Sequence, residues 1–134
     1  MAVVKSRGTA LLQEISSVYT AISQVKNIDI AGLKGETFDT VTLDGPVGKT
    51  KGSTGYVDVP TVKFDIFWDP ALAAHVAYAA FVKAPTPTNF KVTYVDSGPT
   101  SEIYAGVTGS LDKKAAPADG LNASCEIETT GLPT

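Results

Sequence analysis

The stretch WDPALAAHVAYAAFVK, Trp68 to Lys83, decides the architecture. Asp69 can accept the free amide hydrogens of a helix start, and Pro70 suits the first helical position, where a missing N–H costs nothing. Ala, Leu, Val and Phe fill the rest without a glycine, and Lys83 complements the dipole in the last turn. Pro85 and Pro87 stop the helix from continuing. One helix is therefore expected, about 69–83, and the flanking sequence alternates with period two.

Just before it, Val59 to Trp68 is the clearest strand. Val62, Phe64, Ile66 and Trp68 share one side, Lys63, Asp65 and Phe67 the other, and Phe67 is placed to meet another chain. Further upstream, Ala10 to Ile15 and Ser17 to Lys26 read as one first strand region, which Ile28 and Ile30 continue. Phe38 to Leu43 is a second strand rich in β-branched residues. The segment Asp44 to Asp58, with its glycines and no period, reads as a long loop, a length that is uncommon unless it has a function.

After the helix come a strand over Asn89 to Val95, a turn at Asp96-Ser97-Gly98, and a strand over Thr100 to Leu111. In that last strand Ile103, Ala105 and Val107 share a face. KKAAPADG is a further loop. Leu121 to Thr129 closes the set, with Leu121, Ala123, Cys125 and Ile127 inward. The tail Thr130 to Thr134 is too short to order alone. The expected class is α+β: a mostly antiparallel β-sandwich or barrel with a single flanking α-helix, in one domain over 1–134.

At 134 residues one core is affordable without disulfide or metal, and 43 % apolar with 19 % charged residues argues against disorder. The net charge of −3 argues against binding nucleic acid through a basic face. Cys125 is the only cysteine, so it forms no internal disulfide and reads as a small buried hydrophobe. No apolar run approaches a membrane span, and the N-terminus lacks the apolar core of a secretory signal.

Catalytic chemistry is poorly supported. His75, the one histidine, stands among alanines with no nucleophile or carboxylate at useful spacing, so it reads as a packed helix residue. The acids are scattered singly, which suits no metal site. GPVGKTKG at 45–52 is too short for a phosphate loop and leads into a β-like segment where that motif needs a helix. Aromatics are not interleaved with bases as a stacking platform requires. The expectation is a protein that is not an enzyme and needs no cofactor.

Taken in order, the features resemble the major tail tube proteins of long-tailed, siphovirus-type bacteriophages. The likeness is carried by Gly8-Thr9 with Leu11-Leu12, the Val25 to Ile30 strand, and Phe38-Asp39-Thr40-Val41-Thr42 before a Gly-rich loop. It continues through Val62 to Asp69 with its WDP ending, His75, Asn89-Phe90, Asp96-Ser97-Gly98, Ala105 to Thr108 and Thr130-Gly131-Leu132-Pro133. Each motif alone is weak; the specificity lies in their order along about the whole chain.

The resemblance implies hexameric rings, helix outside the lumen, stacked into a hollow tube through which phage DNA reaches the host cell. It implies self-association, contact with tape-measure, tail-tip and terminator proteins, and a place in the virion tail after synthesis in the host cytoplasm. No membrane contact is implied, and DNA passes without specific binding.

Under that reading the N-terminal arm 1–9, the loop 44–58 and the tail 130–134 are the assembly segments. Contact candidates are Arg7, Thr9, Gly45, Pro46, Lys49, Lys51, Gly52, Thr54, Tyr56 and Leu132. Candidates for the lumen are Asp39, Lys63, Asp65, Glu126 and Glu128, although period two does not say which face is the bore. Alternatives are the inner tube of a contractile tail or secretion system, and a capsid-decoration or receptor-binding β-sandwich.

Overall fold

A computed structural model describes residues 5–40, 51–96, 98–115, 117 and 120–134. In chain order the elements are β1 (Lys5–Ile15), β2 (Val18–Ala21), β3 (Val25–Ala31), β4 (Lys34–Asp39), β5 (Lys51–Asp58), β6 (Thr61–Phe67), α1 (Ala73–Lys83), β7 (Thr88–Val95), β8 (Ser101–Lys114) and β9 (Asn122–Thr130). Seven strands form one antiparallel sheet in the order β2-β1-β7-β8-β9-β6-β3, and β4 pairs with β5 in a separate two-stranded arm. α1 carries the chain from β6 back across β9 and β8 to β7. β1 and β3, far apart in sheet order, approach within 8 Å between Cα atoms, so the sheet curls toward a barrel around the helix.

The core forms where the apolar sides of the strands meet α1. Val62, Phe64 and Ile66 of β6 and Ala123, Cys125 and Ile127 of β9 are buried, as their alternation predicts. Tyr78 and Phe81 of α1 enter this layer. Tyr78 meets Phe64 edge-on at 5.2 Å between ring centres, and Phe81 meets Phe90 of β7 in the same way at 5.2 Å. The Tyr78 hydroxyl donates to the carbonyls of Ser110 (2.8 Å) and Glu126 (3.2 Å), so its buried polar end is satisfied by the sheet backbone. Gly109 makes room for that hydroxyl: a Cβ there would lie 3.0 Å from it and 3.0 Å from the Glu126 carbonyl.

Several boundaries differ from the sequence expectation, each for a local reason. The helix begins at Ala73, after an uncapped Leu72. Asp69 instead closes a turn, its side chain accepting the Ala71 amide (2.9 Å) and its carbonyl the Leu72 amide (3.1 Å). The first strand region is three strands. Ser16 and Ser17 take φ of 50° and 66°, the left-handed pair that a tight hairpin turn requires, and Gln24 (φ 63°) separates β2 from β3.

The 44–58 loop is a strand from Lys51 onward, and β4 starts at Lys34 and ends at Asp39, so the Phe38–Leu43 strand is displaced toward the N-terminus. In β8 the buried residues are Tyr104 and Gly106, the face opposite Ile103 and Ala105. Leu121 is exposed rather than inward. The tail is docked: Thr134 exchanges backbone hydrogen bonds with Ile103 at 2.9 and 3.0 Å.

Candidate assembly surfaces

His75 is fully buried and entirely structural. Its Nδ1 accepts the Asp69 amide hydrogen (3.0 Å), which leaves the proton on Nε2, 2.6 Å from the Ser23 carbonyl. The ring also stacks on Trp68, with centres 5.5 Å apart and planes 23° apart. One imidazole thus ties the WDP turn, the helix and the β2–β3 corner together, with no nitrogen left for catalysis. Among the described residues no group of histidine, cysteine and carboxylate side chains is arranged to hold a metal ion.

The sheet face away from α1 is polar and acidic. Cross-strand register sets Asp29, Lys63, Glu126 and Ser110 in one row and Asn27, Asp65, Ser124 and Asp112 in the next. Glu128, opposite Thr61, follows in a third row. The single ammonium in these rows, Lys63, stands between Asp29 and Glu126, while Lys114 and Asn122 pair at one end of the band. A shallow depression of about 250 Å³ lies among Asp29, Lys63, Asp65, Asp112 and Glu126. The acidic field reaches through the sheet: burial, then the Asp65 and Asp112 carboxylates, pushes the Cys125 thiol up to about 12.

Four of the five expected lumen residues, Lys63, Asp65, Glu126 and Glu128, therefore share one face. Asp39 does not; it ends β4 opposite Lys51 in the arm. Asp29 and Asp112 join the face without having been singled out, although the alternation of their strands carried the signal.

The contact candidates divide into four groups. Lys51, Gly52, Thr54 and Tyr56 are on β5 of the arm, whose residues are exposed almost throughout, with Tyr56 73 % accessible. Gly45, Pro46 and Lys49 lie outside the described residues. Arg7 and Thr9 line a cleft of about 770 Å³ between β1 and β3, floored by Val92 and Tyr94. Leu132 is exposed just beyond Gly131.

No protein-family model matches the chain, and no curated protein matches it. Among solved structures it is similar to a chain in the tail of an empty GTA particle, obtained by helical refinement with C6 symmetry. The TM-score is 0.76 at 13 % identity, over 97 % of this chain and 96 % of that one. The two chains share one fold. A chain of the anti-feeding prophage (AFP) baseplate, six-fold symmetrised, is similar at a TM-score of 0.61 and 9 % identity, over 92 % and 87 % of the two chains. The resemblance drawn from residue order is thus met again in backbone geometry, at identities where the sequence signal has nearly vanished.

Proposed function

We propose that this protein is the structural subunit of a tail tube: six copies form a ring, rings stack head to tail, and DNA passes through the bore to the host cell. The observation that carries the reading is the acidic sheet face on the side away from α1, in a chain with a tail-assembly fold. Five carboxylates on this face outnumber its ammonium groups, Lys63 among them and Lys26 and Lys114 at one end, so the wall stays acidic and repels phosphate. Charges within about 10 Å of the DNA, a Debye length at 0.1 M salt, act with little screening. A bore of this kind lets DNA slide, whereas a cationic wall would bind it through counterion release.

Self-association is supported by the unfinished edges. Among the described residues β3 and the β4–β5 arm present open strand edges, a liability in an isolated subunit that a neighbouring copy removes. Contacts that are heterologous and do not close build filaments, the geometry a tube requires. The siphovirus-type tail, the tape-measure, tail-tip and terminator partners and the virion location follow from the same reading, and an enzymatic role has no place in it.

A second reading, the inner tube of a contractile tail or secretion system, rests on the likeness to the AFP baseplate chain. Imaging particles that carry the protein, with or without a surrounding sheath, separates the two. The shared claim is tested by negative-stain electron microscopy of purified protein at rising concentration. Rings or hollow tubes of uniform diameter are expected; small monodisperse particles at every concentration, even with seeds, would reject it.

A further inference from the structure

The cleft between β1 and β3 lies between two backbone edges that the sheet leaves open. Among the described residues β3 is the last strand of the sheet and pairs with β6. β1 leaves its ladder with β7 between Lys5 and Ala10, where four residues of β1 face one of β7, and the β2 ladder reaches Leu12. Gly8 (φ 94°) allows this departure, and a Cβ there would press on Val95 at 2.9 Å. The floor between the edges is apolar, formed by Val25, Ile28, Ile30, Val92 and Tyr94. At the wall, exposed Arg7 has no partner among the described residues. Lys26 also lines the cleft, but its ammonium is committed elsewhere, to Asn122 (3.0 Å) and over the Phe67 ring (4.8 Å). The 25–27 segment therefore offers an occupant its main-chain edge and the Val25 side chain, without the Lys26 charge.

A slot with two strand edges, an apolar floor and a free cation fits an extended, apolar and acidic segment. The β4–β5 arm offers an extended strand with exposed apolar side chains and a carboxylate, and among the described residues it has no partner of its own. It is a lone two-stranded ribbon, a form that is marginal in water, with Tyr56 and Phe38 73 % and 51 % accessible. Its exposed charges are Glu36, Asp39 and Asp58 with Lys34 and Lys51; register sets Asp58 opposite Lys34 and Asp39 opposite Lys51, so Glu36 is the carboxylate with no lysine across from it. The arm leaves the sheet directly after β3, at the end where β1 begins, and reaches roughly 20 Å at strand rise. Among the described residues it has no ladder with its own sheet, so the slot it can fill is a neighbour's.

We propose that the slot between β1 and β3 receives the β4–β5 arm of a second copy, whose strand edge completes the barrel seam. Tyr56 then covers Ile28, Ile30 and Tyr94, and Arg7 meets an arm carboxylate. This rests on the assembly reading above and specifies which two surfaces meet.

The test is photo-cross-linking with Tyr56→p-benzoylphenylalanine, an aromatic exchange at an exposed position, in a mixture with isotope-labelled full-length protein at assembling concentrations. Adducts on residues 7–9 or 25–30 of the labelled copy are expected, and Arg7→Glu in that copy should reduce them several-fold. Adducts confined to another surface overturn the slot while leaving the tube reading intact. Absence of both adducts and oligomers overturns the two together. Folding of each variant is checked by circular dichroism and thermal unfolding, and Arg7→Gln supplies a milder second variant should the charge reversal unfold.

Discussion

The Nε2 of His75 lies 2.6 Å from the carbonyl oxygen of Ser23, a bond that joins the helix to a corner 52 residues earlier in the chain. With the Asp69 amide on Nδ1 and Trp68 against the ring, the side chain fixes where α1 sits over the sheet. Replacing His75 by Ala leaves a buried donor and a buried acceptor unpaired and opens a cavity. The expected cost is about 3 kcal/mol of unfolding free energy. Urea denaturation monitored by Trp68 fluorescence checks it, and a loss within experimental error would show that the clamp is not energetically coupled to the fold.

Tyr78 and Gly109 act as a pair. Tyr78→Phe removes one hydroxyl that serves two carbonyls, with an expected loss of about 1–2 kcal/mol. Gly109→Ala forces a methyl to 3.0 Å from that hydroxyl and from the rigid Glu126 carbonyl, and should cost about 1–3 kcal/mol. The double variant relieves part of the clash, so its loss should be smaller than the sum of the singles. Strict additivity in the same denaturation measurement would contradict the contact.

The β1–β2 turn is expected to be improvable. Ser16 and Ser17 both hold left-handed backbone, which Asn-Gly adopts with less strain. Ser16→Asn with Ser17→Gly should raise stability by about 1 kcal/mol. The melting temperature reads this directly; a decrease would mean that the serines make contacts worth more than the backbone strain.

Cys125 should be inert in the native state. Its thiol is pushed up to about 12, first by burial and then by Asp65 and Asp112, so thiolate is scarce at neutral pH. The folded value being raised, the shift adds stability at neutral pH little different from that at pH 6. Above the ordinary thiol range, near pH 9, unfolding gains from thiolate that the native state suppresses, and stability falls as pH rises further. Labelling by a disulfide reagent at pH 8 should follow global unfolding in urea. Fast labelling without denaturant would show that β9 opens locally.

Much of the core was legible because β6 and β9 keep strict alternation, so Val62, Phe64, Ile66, Cys125 and Ile127 face α1 as expected. β8 was harder to read, because the register shift between Gly106 and Thr108 changes the face that its later residues present. The hairpin at Ser16-Ser17 carries no glycine or asparagine to announce it, and β5, rich in glycine, has no hydrophobic period at all. The acidic face was half legible: period two grouped Lys63 with Asp65 and Glu126 with Glu128, but only the position of α1 shows which side is core. Asp39 stands off that face, because a short strand segment looks the same in sequence in a two-stranded arm as in the main sheet. The partners of His75 were beyond sequence reasoning, because one of them is a backbone carbonyl on a distant corner.

The most direct test of the account is a cryo-electron microscopy reconstruction of the polymer formed by the purified protein. The account predicts a six-fold hollow tube in which Asp65, Asp112, Glu126 and Glu128 line the bore and α1 lies on the outer side of the sheet. A tube lined by α1, or by the arm, with the acidic face buried or turned outward, would contradict it.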